Sequence, residues 1–214
     1  MARAAAKRVG DSGSVTGVDP NPGMLAVARN LSPDIEWHKG TAEDLPWENQ
    51  TFDAVVSQFG LMFFEDKQTA LREMKRVLKS GGRLAVAVFD SLDNIPGYNI
   101  MTIVFGQVVG KDVAQALTFP FSMGDPSVLK SLCDESGLTS VNVSTLHGNA
   151  QFPNVKTMVI ADVKGWFPLA GIELTEQQID DVVNRAETAL QEFIAEDGSV
   201  EFPMPAHFIN FEKN

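Results

Sequence analysis

The residues of this chain that could do chemistry begin with Asp19, which ends a short apolar run. Residues 15–24 predict a buried strand that stops on Asp19 and turns at once into a helix, with Asn21 as the cap and Pro22 at the first helical position. At the carboxyl end of a parallel strand, an aspartate can accept hydrogen bonds from the two vicinal hydroxyls of a ribose. Asp19 is therefore the first candidate binding residue; the plain alternative is an acid that only starts a helix.

Three further polar segments each follow a predicted strand. They are residues 41–44 (Thr-Ala-Glu-Asp), Ser57 with Gln58, and Asp90. Ligands of open α/β sheets bind outside the carboxyl ends of the strands, because free backbone groups and helix N-termini are found there. We therefore expect these segments and Asp19 to meet at one crevice, although each alone also fits a solvated turn.

The elements that would position these residues alternate between strand and helix through the first half of the chain. Strands are predicted at residues 15–18, 35–38, 52–57 and 83–89, and helices at residues 24–30 and 66–79. Gly81 and Gly82 are predicted to stop the second of these helices. This alternation is typical of an α/β fold, in which a Rossmann-like, mostly parallel sheet carries helices on both faces.

The second half of the chain is richer in helix. Helices are predicted at residues 126–137, 155–169 and 175–196, and extended segments at residues 139–144 and 200–211. Thr175 and Gln178 have the spacing of a capping box at the start of the last helix. Helices inserted before the last strand would form a cap over one end of the sheet. We expect a single domain, with residues 1–94 as the nucleotide-binding half of its core and residues 95–214 as the rest of the sheet plus the helical cap.

Composition argues against several classes of protein. The formal net charge of −11 disfavours nucleic acid and anionic membranes as partners, because both require a basic face. A single cysteine, Cys133, excludes an internal disulfide, and His38, His147 and His207 lack metal-ligand spacing, so we expect no metal. We find no signal peptide and no apolar run of bilayer length, and we therefore expect a cytoplasmic location.

Four motifs carry a resemblance to a known family. They lie at residues 17–24 (Gly-Val-Asp-Pro-Asn-Pro-Gly-Met), 40–47 (Gly-Thr-Ala-Glu-Asp-Leu-Pro-Trp), 52–62 (Phe-Asp-Ala-Val-Val-Ser-Gln-Phe-Gly-Leu-Met) and 73–83 (Glu-Met-Lys-Arg-Val-Leu-Lys-Ser-Gly-Gly-Arg). In this order, the chain resembles the class I S-adenosylmethionine-dependent methyltransferases, in particular the type 11 enzymes and those of ubiquinone and menaquinone biosynthesis. The resemblance implies S-adenosylmethionine as the cofactor and a small molecule as the substrate.

The resemblance also implies which residues line the cofactor site: Asp19, Pro20, Met24, Thr41, Ala42, Glu43, Ser57, Gln58 and Phe59. In the family pattern, Asp19 takes the ribose hydroxyls, while Pro20 and Met24 pack against the adenine. The backbone N–H of Ala42 is directed to the adenine ring, with Glu43 beside it. Thr41 stands where the family usually has an acid. Residues 57–59 line the methionine end of the cofactor.

The family's Gly-x-Gly-x-Gly turn and the strand before it do not appear ahead of Asp19. Residues 2–9 match the helix that follows that turn, so the chain looks truncated before this helix. The strand in question lies between the strands predicted here at 15–18 and 52–57, and without it each unpaired backbone group costs about 1–3 kcal/mol. Either the two neighbouring strands pair directly, or a second copy of the chain supplies an element that fills the gap, or the fold is only marginally stable. We expect a homodimer.

These observations predict methyl transfer from S-adenosylmethionine to a small apolar or aromatic molecule, since some of the fourteen phenylalanines are available to line a pocket. No residue is assigned as catalytic, because alignment with the methyl group supplies most of the acceleration. The alternative is a methyltransferase-like protein that has become an ester hydrolase or a non-catalytic binding protein. For hydrolysis, the chain offers only a Ser-x-x-Lys spacing at residues 127–130.

Overall fold

A computed structural model describes residues 1–165 and 167–214 of the protein, which divide into two compact units. The first unit comprises residues Met1–Ala87, Lys130–Asn142 and Ile209–Asn214, and the second unit comprises Val88–Leu129 and Val143–Phe208. A single domain with a break after residue 94 stays a prediction. In the part of the chain that the structure describes, no helix is both long enough and apolar enough to cross a bilayer.

The first unit contains the predicted alternation of strands and helices. Its elements in chain order are α1 (Ala2–Val9), β1 (Thr16–Asp19), α2 (Pro22–Leu31), β2 (Glu36–Lys39), β3 (Phe52–Gln58), α3 (Lys67–Val77) and β4 (Leu78–Phe89), whose end enters the second unit. Side-chain caps fix where the helices start. Asn21 Oδ1 accepts the N–H groups that open α2, and Asp66 Oδ1 accepts the N–H of Thr69 in α3.

Helices dominate the rest of the chain. Its elements are α4 (Pro96–Val108), α5 (Lys111–Thr118), α6 (Pro126–Glu135), β5 (Asn142–Leu146), β6 (Asn149–Phe152), α7 (Val155–Gly165), α8 (Glu176–Ala189), β7 (Val200–Pro203) and β8 (Ala206–Glu212). Helices α7 and α8 are inserted before the last strand, as predicted. Thr175 and Gln178 form the predicted capping box at the start of α8.

The described strands form three sheets. The pairs β1–β2 and β3–β4 are parallel, and β6 and β7 form an antiparallel pair although α7 and α8 lie between them in the chain. The largest sheet has the strand order β3-β4-β8-β5. Gly81 N–H donates to Lys213 O and Asp90 N–H donates to Pro205 O, so β8 runs antiparallel to β4. The predicted α/β fold with a mostly parallel sheet is confirmed.

A gap separates β1 from β3, which belong to different sheets. Direct pairing of these two strands, one of the ways to close the gap, is therefore wrong. Among the described residues, β1 pairs only with β2, and β3 pairs only with β4 on one side. Val56, in the middle of β3, is 47% exposed. One edge of each strand therefore has no partner strand among the described residues.

A hydrophobic cluster of nineteen buried residues lies within the second unit. Phe202 on β7 sits at its centre, with the rings of Tyr98, Phe152 and Phe193 at 5.7, 6.3 and 6.0 Å between centroids. A methyl group on Gly97 would come within 2.4 Å of the Phe202 ring. The Phe202 ring therefore occupies space that is free only because position 97 on α4 is a glycine.

Several element boundaries differ from the predictions. Helices α4 and α5 were not predicted. The helix predicted at 66–79 ends at Val77, because the chain from Leu78 onward already belongs to β4. The helix predicted at 155–169 ends at Gly165, and Trp166, which it included, lies outside the described residues. The helix predicted to reach residue 196 ends at Ala189.

Candidate functional site

Asp19 ends β1, in register with Lys39 at the end of β2. Its Oδ1 accepts the N–H of Asn21 at 2.8 Å, and its backbone oxygen accepts the N–H of Gly40. Among the described residues, none donates a hydrogen bond to Oδ2 of this half-buried side chain. Asp19 therefore both turns the chain into α2, as the plain alternative supposed, and keeps one carboxylate oxygen for other donors.

The glycine two residues before Asp19 has a packing reason. Gly17 pairs with Trp37 across the β1–β2 ladder, and a methyl group on Gly17 would lie 2.4 Å from the indole ring. The ring therefore covers the strand directly beside the candidate site. This contact explains the glycine of the first motif, which the sequence alone did not.

The segment after β2 presents a backbone donor. Thr41 and Asp44 form an isolated bridge, and Thr41 is exposed while Ala42 is buried. Within the described residues, no group accepts the backbone N–H of Ala42. An unbonded N–H on a buried residue is expensive unless a ligand or water accepts it. A hydrogen-bond donor and the open oxygen of Asp19 are thus both present at the end of the β1–β2 sheet.

Glu43 is engaged within the protein. Its Oε1 accepts the N–H of Glu65 at 2.9 Å and that of Asp66 at 3.4 Å, just ahead of α3. The position of Glu43 beside the adenine stays a prediction. Its observed hydrogen bonds connect the segment after β2 to the segment that leads into α3. Sequence spacing could not indicate this connection, because it depends on two backbone groups more than twenty positions away.

Two side chains of α3 also hold the segment that follows β2. Glu73 Oε2 accepts the N–H of Leu45 at 3.0 Å, and Arg76 donates to the backbone oxygens of Leu45 and Trp47. The Glu73–Arg76 ion pair measures 2.6 Å. The hydrogen bond from Arg76 lowers the pKa of Glu73, against an opposing effect of burial. Both residues lie in the fourth motif, yet neither was predicted to position the site.

The end of β3 carries the remaining candidates. Ser57 is half-buried, Gln58 is exposed, and Phe59 N–H donates to Ala87 O at 2.9 Å. Phe59 has a φ of +55°, a left-handed conformation that is uncommon for a non-glycine residue. The next residue, Gly60, lies close to Ser57, since a methyl group on Gly60 would lie 3.2 Å from Ser57 Oγ. This turn directs the chain away from the strand immediately after the candidate residues.

The structure thus groups the predicted residues by strand end. Those of the adenosine side lie at or just after the ends of β1 and β2, and residues 57–59 lie at the end of β3 in the other sheet. Pro20 and Met24 are exposed, the latter by 59%. Asp90, expected at the same crevice, belongs to the second unit. The assignment of all nine residues to a cofactor site stays a prediction.

Comparison with known proteins decides the family. Residues 1–86 match the family model described as "Methyltransferase domain". The chain is 35% identical over 162 residues to the demethylmenaquinone methyltransferase of Lysinibacillus sphaericus, covering 69% of this chain and 68% of that protein. This chain belongs to the class I S-adenosylmethionine-dependent methyltransferases. The resemblance of the four motifs to this family is confirmed.

Other members of this methyltransferase family give the same picture. The ubiquinone/menaquinone biosynthesis C-methyltransferase UbiE of Cronobacter sakazakii is 34% identical over 157 residues, covering 65% of this chain and 62% of that protein. The chain thus spans about three fifths of the length of the first curated relatives it matches. A putative methyltransferase from Bacillus halodurans has a similar fold, with a TM-score of 0.57, 15% identity, and coverage of 94% and 84% of the two chains.

The hydrolase alternative finds no support in these comparisons or in the residues offered for it. Ser127 Oγ donates to Asp125 Oδ1 at 2.6 Å, and the Ser127 N–H bonds the same oxygen. Lys130 pairs instead with Asp134 at 3.1 Å. The Ser-x-x-Lys spacing therefore belongs to an N-cap and an i,i+4 ion pair of α6, and the two side chains have separate partners.

Proposed function

We propose that this protein transfers a methyl group from S-adenosylmethionine to a small aromatic molecule of the hydroquinone type. The observation that carries the proposal is the pair of open polar groups at the end of the β1–β2 sheet. Asp19 Oδ2 is an acceptor without a donor among the described residues, and Ala42 N–H is a donor without an acceptor there. This pairing fits a nucleoside, which carries hydroxyl donors on its ribose and acceptor nitrogens on its base.

When bound, S-adenosylmethionine supplies an electrophilic methyl group. In our proposal the chain holds the nucleoside, with Asp19 accepting from the ribose and Ala42 donating to the adenine. Glu43, Glu73 and Arg76 keep the Ala42 segment in place through the contacts described above. Rigid placement matters because aligning the methyl group with the attacking atom removes most of the entropic barrier.

The names of the relatives support the substrate class. The Lysinibacillus and Cronobacter proteins are named for demethylmenaquinone methylation and for ubiquinone and menaquinone biosynthesis, respectively. A reduced quinone ring is rich in electrons and can accept a methyl group at carbon with little help from an acid or a base. This fits a chain in which no catalytic residue was assigned from the sequence.

A methyl-transfer assay tests the proposal. The protein is incubated with isotopically labelled S-adenosylmethionine and a reduced, short-chain demethylated naphthoquinone, and the ring product is analysed by mass spectrometry. We expect labelled methyl on the ring, and about a tenfold loss of kcat/KM for limiting cofactor in Asp19→Ala. Asp34→Ala, an exposed acid in the same unit, is the matched control and should leave the rate unchanged.

Cofactor binding without transfer to the ring would contradict the substrate class alone. Failure of both binding and transfer would contradict the whole proposal and leave a non-catalytic binding protein.

We also propose a homodimer. Its support is the open edge of β1 and that of β3, since unpaired strand edges accept a strand from another chain. Sedimentation velocity at micromolar concentration should show a dimer that dissociates on dilution. A monomer at these concentrations would contradict this part of the proposal.

A further inference from the structure

Thr41 presents an exposed hydroxyl at the end of the β1–β2 sheet. Its backbone oxygen accepts the N–H of Asp44, but no group among the described residues forms a hydrogen bond with its Oγ1. The next residue is Ala42, and the unbonded N–H of Ala42 belongs to the peptide group that joins the two residues. The hydroxyl is therefore the side-chain polar group closest in sequence to that donor.

The two carboxylates that follow Thr41 are engaged within the protein. Glu43 Oε1 accepts two backbone N–H groups ahead of α3. Asp44 lies within electrostatic reach of Arg76: the pKa of this guanidinium is raised chiefly by its hydrogen bond to Glu73, and the charge of Asp44 adds to the effect. Within residues 41–44, the side chain that remains available to a ligand is thus a hydroxyl and not a carboxylate.

The chemistry of adenine relates this hydroxyl to one position of the base. Adenine carries its 6-amino group between two acceptor nitrogens, N1 and N7, on the side away from the ribose. In the proposed placement the ribose lies at Asp19, and Ala42 lies two residues beyond Gly40, whose N–H donates to the backbone oxygen of Asp19. A base that extends from Asp19 to Ala42 meets the Ala42 N–H with N1 or N7. Either choice brings the 6-amino group next to Thr41.

A hydroxyl at this position does not distinguish a donor from an acceptor. It can both donate and accept a hydrogen bond, whereas a carboxylate only accepts. The Thr41 hydroxyl can therefore accept from an amino group or donate to an oxygen in the same place. Because Thr41 is exposed, water also replaces a lost bond there, so a mismatched substituent leaves no buried polar group unpaired.

We propose that Thr41 sets the base specificity of this site, and that the site tolerates a hydrogen-bond acceptor in place of the 6-amino group. The inference rests on the proposed placement of the nucleoside at the end of the β1–β2 sheet. It extends that proposal to the class of cofactor analogues that the protein binds, namely purine nucleosides that keep N1 and N7 as acceptors and differ at position 6.

Calorimetry with two ligands tests the inference. S-adenosylhomocysteine and its 6-methoxypurine analogue both keep N1 and N7 as acceptors. They differ at position 6, where the first carries a donor and the second only an acceptor. We expect the parent protein to bind the two ligands with Kd values within about threefold of each other. A preference for S-adenosylhomocysteine of about tenfold or more would overturn the proposal.

Variants of one residue sharpen the test. Thr41→Asp should bind the methoxy analogue about tenfold more weakly than S-adenosylhomocysteine, because a carboxylate would face an oxygen with no donor between them. Thr139→Asp is the matched control, since Thr139 is an exposed threonine of the same unit, and this variant should keep the ratio of the parent. The measured quantity is a ratio of two Kd values for one protein, so a general loss of affinity cancels.

An unchanged ratio in folded Thr41→Asp would overturn the assignment to Thr41. If this variant does not fold, the ratio in the parent protein still decides whether the site tolerates an acceptor. Failure of the parent to bind S-adenosylhomocysteine at all would contradict the proposed placement of the nucleoside, and this inference with it. Binding with a strong preference for adenine would contradict this inference alone.

Discussion

Two regions of this protein, residues 1–60 and the second unit, differ in how much of their sequence is buried. In residues 1–60 of the first unit, which carry the candidate site, the buried hydrophobic side chains are Leu25, Ile35, Ala42 and Leu45, and α1 buries none. The second unit packs nineteen buried residues into one cluster, from α4, α5, α7, α8, the β6–β7 pair and the segments next to these elements. The stretch that carries most of the four motifs is thus the stretch with the fewer buried side chains.

This difference shows that the residues of the motifs and the residues of the core are under separate physical constraints. Motif residues such as Asp19 and Ala42 keep polar groups open for a ligand, which costs stability in its absence. Core residues such as Phe202 contribute burial, at roughly 25 cal/mol per Å² of apolar surface. We therefore expect substitutions in the core of the second unit to affect stability most, and substitutions within residues 1–60 to affect the response to ligand most.

The largest expected effect is in the second unit. Phe202→Ala should lower the free energy of unfolding by about 3–5 kcal/mol, because the ring is 1% exposed and touches three other rings. Val56→Ala, on the open edge of β3, should change it by no more than about 0.5 kcal/mol. Urea denaturation measures both values. Equal losses at the two positions would remove the contrast between the units.

The next largest loss of stability is expected when a methyl group is added where the fold leaves no space for it. Gly124→Ala should cost about 1–3 kcal/mol, because the new carbon would lie 2.0 Å from the backbone nitrogen of Ser91. Gly165→Ala adds the same group at the end of α7 where nothing lies within 4 Å. Thermal unfolding should show a lower midpoint for the first variant and an unchanged or higher midpoint for the second. A tolerated alanine at position 124 would mean that this part of the second unit is loosely packed.

In the first unit, the contacts that Glu73 and Arg76 make with the segment after β2 predict that stability depends on pH. Because the pKa of Glu73 is lowered in the folded state, its contribution to stability is complete above its unfolded pKa, near 4.5. That contribution is lost as the pH falls through the lowered folded value. Glu73→Gln should cost about 1–2 kcal/mol at neutral pH and nothing at the acid end. Parallel stability curves for the two proteins down to low pH would contradict this role.

The smallest expected effect is an absence of reaction. Cys133, in the part of α6 that belongs to the first unit, is fully buried, and burial raises the pKa of its thiol to about 11. At pH 8 its thiolate fraction is then about two hundredfold below that of a free cysteine. Iodoacetamide should leave it unmodified in buffer and alkylate it in urea. Rapid alkylation in buffer would show that the first unit opens readily even where it is packed.

Sequence alone predicted the fold where local signals suffice. The Asn21–Pro22 start of α2 and the Thr175 capping box of α8 are short-range features, and both were predicted correctly. The helix stop expected at Gly81–Gly82 is wrong, because Gly81 pairs with Lys213 on the far end of the chain and extends β4. Helices α4 and α5 lack side-chain caps, and Pro96 at the first position of α4 was the one local start signal, which was not used in predicting the helices.

The candidate site follows the same rule. Asp19 was found because a strand followed by a cap is visible in ten residues. The engagement of Glu43 with the backbone ahead of α3, and the approach of His207 to Asp90, each join positions that are distant in sequence. Only the folded chain brings such groups together, so their partners could not be predicted.

The most direct test of the account is calorimetry with S-adenosylhomocysteine. The account predicts measurable binding by the parent protein and by Asp34→Ala, and binding weaker by about 1–3 kcal/mol in Asp19→Ala, because one carboxylate that accepts from the ribose is lost. Unchanged affinity in Asp19→Ala, or no heat from the parent protein at millimolar ligand, would contradict the claim that the end of the β1–β2 sheet holds the nucleoside.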